Sequence, residues 1–285
     1  MPEMIKIAVD AMGGDNSPKK IIDGIIHHHK SNKDIFYKIF GDEVKINKLI
    51  DNKLTKNYFE ISNTLNKVSS EDSPLEGAKR GKDTSMWLAV ESVKKKDCDI
   101  VISAGNTGAL LVISKLNLKM IENIDKPALS ALWPNKKGMS VVLDLGANID
   151  CSSKNLFDFS IMGASLFKSL YPTQTTNLAL LNIGSEELKG NETIKETFKI
   201  LKEKKLDDFN FKGYIEGNEL MNGNVNVIVS DGFTGNVALK TAEGTANFIT
   251  SELKDVLTGS LMGKISSFLN IQNLNKFKKR LDPRL

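Results

Sequence analysis

The chain of 285 residues carries 39 Lys and Arg against 35 Asp and Glu, a formal charge of +4, with 40% hydrophobic and 26% charged residues. This is a globular composition, long enough for one large α/β domain or two ordinary ones without metal or disulfide staples. Cys98 and Cys151, the two cysteines, cannot build a disulfide framework or a four-ligand zinc site, so reduced thiols in an intracellular setting are expected. The small positive surplus does not make a nucleic-acid footprint, which needs basic residues clustered on one face.

The first residues run straight into an apolar strand pattern without a signal-peptide layout. Ile5 to Val9 reads as a strand, followed by a glycine turn and a helix from about Pro18. That helix carries all three histidines, His27, His28 and His29. A rotation of about 100° per residue points them in different directions, a poor metal site, and leaves no imidazole elsewhere for a Ser-His-Asp or Cys-His mechanism. Short strands follow at Phe36 to Phe40 and Tyr58 to Ser62, then a long helix is expected from Glu76 to Lys96 with Trp87, Val90 and Val93 on one face. Lys79, Arg80 and Lys82 form a basic cluster there, and Lys94, Lys95 and Lys96 a second that reads as solvated surface.

Strand Ile100 to Ser103 leads into helix Thr107 to Leu118, and the longest uncharged tract, Ile100 to Ser114, is broken by Gly, Asn and Thr. It falls short of the roughly 20 apolar residues that span a bilayer. Ala128 to Trp133 and Ser140 to Leu145 flank a turn at Pro134 to Gly138 and predict a hairpin, the one antiparallel element. Helix Leu156 to Leu170, strand Asn177 to Ile183, helix Glu192 to Lys204, strands Asn210 to Tyr214 and Val225 to Ser230, and helix Asn236 to Leu253 complete the alternation. This βα order predicts a largely parallel sheet with helices on both faces, as one α/β domain over residues 1–255.

The ends of the strands carry the chemistry. Asp10-Ala11-Met12-Gly13-Gly14-Asp15, Ser103-Ala104-Gly105-Asn106-Thr107-Gly108, Asp144-Leu145-Gly146-Ala147-Asn148, Ile183-Gly184-Ser185-Glu186-Glu187-Leu188-Lys189-Gly190-Asn191 and Ser230-Asp231-Gly232-Phe233-Thr234-Gly235-Asn236 all follow strands. In a parallel sheet such turns share the carboxyl edge, where ligands bind. Glycine permits close backbone approach, and Asn, Ser and Thr cap helix N-termini whose free N–H groups attract anions. A phosphate or carboxylate site is expected. No turn holds a P-loop or a clean G-x-G-x-x-G, which weighs against nucleotide and ordinary dinucleotide cofactors. Lys189 can reach this edge, Cys151 reads as a small buried thiol for want of a nearby base, and metal binding by Asp10, Asp15, Asp144 and Asp231 is not expected.

Residues 256–285 differ from the rest. Leu261, Ile265, Phe268 and Leu269, then Leu274, Phe277 and Leu281, form an apolar stripe beside Lys276, Lys278, Lys279 and Arg280. Such basic amphipathic helices pack against a domain or a second subunit, or lie on an anionic membrane surface.

With these motifs assembled, the chain resembles the PlsX family of bacterial phosphate acyltransferases. Besides the five turns, Lys82-Asp83-Thr84-Ser85-Met86 and Asn148-Ile149-Asp150-Cys151 match, in family order from about Ile5 to Pro283. The resemblance implies a three-layer α/β/α sandwich similar to phosphotransacetylases and isocitrate-dehydrogenase-like enzymes. It also implies a cytoplasmic homodimer, peripherally associated with the membrane, that moves an acyl group from acyl carrier protein to inorganic phosphate for phospholipid synthesis without a cofactor. Lys189, Asn191 and Asp231 would then be catalytic. Asp10, Gly13, Gly14, Asp15, Asn106, Thr107, Asn148 and Asn236 would bind phosphate or shape its edge, Lys79, Arg80 and Lys82 would receive the carrier protein, and Leu261, Ile265, Phe268 and Leu269 would meet the membrane. Family members continue past the equivalent of Leu281-Asp282-Pro283-Arg284 with a glycine-rich strand and a closing helix, so the family's C-terminal extension is expected to be missing. A decarboxylating NAD(P)-dependent dehydrogenase of similar fold, and a non-catalytic carrier-protein or membrane adaptor, are the alternatives.

Overall fold

A computed structural model describes residues 4–204 and 206–281. The chain, whose residues 1–255 read from the sequence as one domain, divides into two compact units between Glu122 and Asn123. Each has its own sheet and its own cores.

The first unit is built on a parallel sheet of four strands, β1 (Ile5–Asp10), β2 (Ile35–Gly41), β3 (Phe59–Asn63) and β4 (Ile100–Ser103), in the order β3-β2-β1-β4. Its helices are α1 (Lys19–Ser31), α2 (Glu43–Ile50), α3 (Pro74–Lys79), α4 (Ser85–Lys94) and α5 (Thr107–Leu118). Because side chains alternate along a strand, Ile7 and Val9 pack with Ile22, Ile25, Ile46 and Ile50 of α1 and α2. Ala8 points the other way, toward Phe40 and Ala89 of α4. Helix α2, absent from the sequence reading, is short but signposted: the Asp42 carboxylate accepts from Lys45 N at 3.1 Å, and Ile46 and Ile50 are one turn apart and buried.

The helix expected over Glu76 to Lys96 is two helices. Ser73 opens α3 with a capping box, Gly81 breaks the run at φ +136°, and Thr84 caps α4 by accepting from Trp87 N. Few residues other than glycine adopt that φ.

The second unit holds β5 (Ser130–Asn135), β6 (Gly138–Leu143), β7 (Asn177–Leu181), β8 (Asn210–Ile215) and β9 (Val227–Val229), in the order β5-β6-β9-β7-β8. Only the β5–β6 pair is antiparallel, and it is the predicted hairpin with a tighter turn of Lys136 and Lys137. Helices α6 (Ser153–Leu170) and α7 (Glu192–Lys204) cover one face: Leu156, Phe159, Phe167 and Ile194 pack on Leu143, Leu178, Leu180 and Val229. The other face buries Val142, Ala179 and Ile228 beneath Leu220 and the first turns of α8 (Gly232–Thr258). Helix α8 starts a turn earlier than its apolar spacing indicates because Asp231 caps it. Beyond it lie α9 (Leu261–Leu269) and α10 (Ile271–Leu281), with Leu261, Ile265, Phe268, Leu269 and Phe277 exposed. The expectation placed on Asp282, Pro283 and Arg284 falls outside the described residues.

His29 makes the first unit acid-sensitive. Its ring is buried 4.4 Å from the Tyr58 ring, and Nδ1 finds no hydrogen-bond partner among the described residues. Burial, then the charges of Lys33 and His28, hold it below the ordinary histidine value. The unfolded chain therefore binds this proton more readily, so the stabilisation is full above about pH 6.5 and is lost as pH falls through the lowered folded value. His29→Phe is expected to flatten the fall in melting temperature between pH 7.5 and 5; thermal melts at the two pH values check it.

Candidate active site

The five glycine turns divide between the two sheets: those after β1 and β4 lie at the carboxyl edge of the first, and those after β6, β7 and β9 at that of the second.

In the first unit the organising group is Asp10, buried at the end of β1. Its carboxylate accepts from the hydroxyls of Ser85 and Ser103, both at 2.6 Å, and from Met12 N at 3.2 Å. This ties the ends of β1 and β4 to the start of α4. The turns pack so closely that a Cβ on Gly13 would lie 2.8 Å from Gly105 N. Gly14 and Asp15 form the exposed rim. Asn106 is committed to structure: Oδ1 accepts from Ala109 N at 3.0 Å to cap α5, and Nδ2 donates to the Asp72 carbonyl at 2.7 Å. Thr107, the first helical residue, is exposed. In the basic cluster the Arg80 guanidinium is hydrogen-bonded to both carboxylate oxygens of Asp72 and holds that carboxyl below its usual range. Lys79 and Lys82 are exposed beside it.

In the second unit Asp144 plays the corresponding part at the end of β6. Fully buried, its carboxylate accepts from the backbone N–H groups of Leu129 (3.0 Å), Gly146 (3.1 Å), Ala147 (3.0 Å) and Asn148 (2.8 Å), and from Asn148 Nδ2 (2.7 Å). Asn148 is thereby held with its carbonyl accepting from Gly232 N at 2.8 Å, which fixes the first residue of α8. A Cβ at Gly235 would collide with the Asp144 carbonyl oxygen, so the helix can approach only with glycine there. Asn236, exposed, lies beside Gly146.

Around this loop opens a cleft of about 290 Å³. The first turns of α6, α7 and α8 all contribute to its lining: Cys151 and Leu156, then Asn191, Thr193 and Ile194, then Asp231, Phe233 and Thr234. Asn191 caps α7 through Ile194 N at 2.9 Å, and Asp231 caps α8, accepting from Thr234 N and its hydroxyl, each at 2.8 Å. Three helix N-termini thus bring their positive dipole ends to one concavity, which favours an anion. Burial pushes the Cys151 thiol up from its ordinary value, so it is no ready thiolate.

Lys189 is not among the residues lining this cleft. It lies two residues before Asn191, on a turn held by Asn182 Nδ2, which donates to the carbonyls of Gly184 and Lys189, both at 3.1 Å. Its ammonium pairs with Glu186 at 3.1 Å, both side chains exposed. The Glu186 carboxyl is held below its usual value by its own backbone N–H and by Lys189. Among the described residues no three His, Cys, Asp or Glu side chains cluster to hold a metal ion. Sequence reasoning passed over Ser85, Ser103 and Thr234, which bind the aspartates, and the apolar Ile149 and Phe233 at the cleft. Except for Ser85, which opens α4, their signal was a place in or beside the glycine turns.

The family model described as fatty acid synthesis protein matches residues 5–285. A phosphate acyltransferase of Pelagibacter ubique is 76% identical over 285 residues, covering 100% of this chain and 85% of that protein. One from Maricaulis maris is 40% identical over 282 residues, 98% of this chain and 80% of its own. Of solved structures, the EutD phosphotransacetylase from Staphylococcus aureus aligns with a TM-score of 0.61 at 14% identity, covering 86% of this chain and 83% of its own. A branched-chain phosphotransacylase from Enterococcus faecalis gives 0.55 at 14% identity, covering 84% of each chain. At that identity the likeness concerns the fold, the α/β architecture with mostly parallel sheets expected from the sequence.

Removing the Asp144 carboxylate leaves several part-buried N–H donors without their acceptor at once. Asp144→Ala is expected to cost at least about 3 kcal/mol of stability, since each hydrogen bond to a charged group contributes roughly 1.5–3 kcal/mol. Denaturant unfolding of the two proteins measures the difference.

Proposed function

The chain belongs to the fatty acid synthesis protein family of phosphate acyltransferases, and we propose that it takes its acyl group from acyl carrier protein and binds phosphate in the cleft of the second unit. It is an acyltransferase that transfers an acyl group to phosphate in phospholipid synthesis, and the family does not favour the dehydrogenase or adaptor readings. The observation that carries the site is the convergence of the N-termini of α6, α7 and α8 on one cleft.

The chemistry suits these residues. A phosphate oxygen attacks the thioester carbonyl carbon, the carbonyl becomes a tetrahedral oxyanion, and its collapse breaks the carbon–sulfur bond. The products are an acyl phosphate and the carrier thiolate, which takes a proton from water. Phosphate is already an oxyanion at neutral pH and the thiolate leaves readily, so no histidine base is required. The protein has to orient phosphate against the carbonyl and stabilise the oxyanion. In this reading the positive dipole ends of α7 and α8 hold the phosphate, with Asn191 and Asp231 fixing those turns. Asn148 and Asn236 shape the adjoining edge. Lys189 meets the developing charge. Its exposed pair with Glu186 supports this, since such pairs are worth at most about 1 kcal/mol and yield readily to a stronger anion.

The glycine edge of the first unit, with Asp10, Gly13, Gly14, Asp15, Asn106 and Thr107, is proposed as a phosphate-binding edge of that unit. Lys79 and Lys82, with Arg80 partly neutralised by Asp72, are proposed to receive the acidic carrier protein. Exposed Phe248, Ile249 and Val256 on the distal half of α8 support pairing of two copies as a homodimer. The exposed stripe of Leu261, Ile265, Phe268 and Leu269, near the basic residues of α10, supports peripheral attachment to anionic lipid. No helix of the described residues is long and apolar enough to cross a membrane.

Phosphate-dependent release of carrier thiol from palmitoyl carrier protein tests the enzyme reading. Lys189→Ala is expected to lower kcat/KM for phosphate about 100-fold, the scale of losing one oxyanion donor. Unchanged turnover overturns the role given to Lys189. In vesicle flotation, the chain is expected to rise with anionic liposomes and Phe268→Glu to remain at the bottom. Equal flotation of both overturns the membrane face.

A further inference from the structure

Two large apolar side chains stand in water at the cleft: Ile149, 69% exposed, and Phe233, 63% exposed. A lone exposed hydrophobic residue needs no explanation. These two are continuous with an apolar floor, because buried Leu156 and Ile194 and half-buried Cys151 line the same concavity. Binding phosphate gives no use for five apolar walls. The reaction does, because the atom that phosphate attacks carries a hydrocarbon chain, so methylenes begin one bond away from the reacting carbon.

Size and placement point the same way. At about 290 Å³ the cleft is just smaller than the roughly 300–1,000 Å³ of small-molecule sites. A long chain must extend beyond it, and Ile149 and Phe233 are the most exposed apolar residues of its lining. Their positions are also tightly specified. Ile149 follows Asn148, whose backbone and side chain are bound to Asp144. Phe233 follows Gly232, whose N–H is bound to the Asn148 carbonyl. One hydrogen-bond network therefore sets the spacing of the two apolar groups and that of the polar groups beside them.

We propose that Ile149 and Phe233 form the acyl-chain subsite, gripping the carbons next to the thioester and directing the remainder of the chain out of the cleft. This rests on the reading of the cleft as the phosphate site. Phe233, an aromatic group with only two rotatable bonds on a fixed helix start, gives up little conformational freedom when a chain packs on it.

The test uses the full chain and carrier protein bearing chains of 4, 8, 12 and 16 carbons. The ratio of kcat/KM for 16 carbons to that for 4 is expected to fall about tenfold in Phe233→Ala and Ile149→Ala, and to be largely kept in Phe233→Leu, on the scale of small changes in apolar pockets. Equal losses at every chain length, or none, overturn the proposal. A binding arm without phosphate separates it from the phosphate reading: wild type is expected to bind palmitoyl carrier protein more tightly than the unacylated form, and Phe233→Ala to erase most of that difference. If the variant keeps the difference, the subsite is wrong even where Lys189→Ala weakens phosphate. If Lys189→Ala leaves phosphate kinetics untouched while Phe233→Ala loses chain discrimination, the role given to Lys189 fails and the acyl subsite stands.

Discussion

A buried carboxylate at the end of a β-strand is the constraint on which the second unit's functional edge depends. Asp144 is removed from water completely, and such a charge is tolerable only where donors replace its hydration. Three of its four backbone partners, Gly146, Ala147 and Asn148, come from the turn that follows it, so satisfying the charge and folding the turn are one event. The turn then presents the Asn148 carbonyl to Gly232, which starts α8, and α8 supplies one wall of the cleft. The first unit uses the same device with different donors. There Asp10 gathers two hydroxyls and one backbone N–H, binding two strand ends and a helix start.

This economy explains how a chain with its histidines confined to α1 can support acyl transfer. A nucleophile that is already an anion needs concentration and orientation more than deprotonation, and backbone N–H groups supply both without titrating. The carboxylates at the cleft work against an anion unless their charge is directed elsewhere. Of the two in its lining, Asp231 is so directed, both its oxygens accepting from Thr234, whereas Asp150 is exposed to solvent. Hydroxyl and amide side chains at the helix starts, such as those of Thr234 and the cap Asn191, offer polar contact without adding negative charge.

Much of the fold was legible because its signals are local. Helices Thr107–Leu118 and Glu192–Lys204 start at an asparagine cap and end where the apolar period stops, and the structure keeps both ranges. The Asp144 and Asp231 turns were visible as composition, but the hydrogen bonds that give them purpose join residues such as Leu129 and Asp144, 15 positions apart, which no periodicity records. The helix over Glu76 to Lys96 was overextended because helical spacing continues across Gly81, where a single positive φ ends it. The division into two units was hidden for a related reason. Strands of both sheets follow the same βα rhythm, and only pairing reveals that β4 joins β1 whereas β6 joins β9. Lys189 illustrates the remaining limit: its motif placed it beside Asn191, yet a long side chain on an exposed turn takes its position from its ion pair with Glu186.

The apolar residues at the cleft show why polar motifs alone describe such a site incompletely. An acyl transfer joins two ligands of opposite character at a single bond, so the protein must bring water-seeking and water-avoiding surfaces within a bond length of each other. Placing them on separate mobile loops would leave their spacing to thermal motion, and small misplacements of reacting groups are costly. Here Ile149 and Phe233 each follow directly on a residue of the Asp144 network, Asn148 and Gly232. In the proposed site, the backbone network that sets the helix starts around the cleft is also the one that holds a hydrocarbon surface beside them, by the single steps from Asn148 to Ile149 and from Gly232 to Phe233.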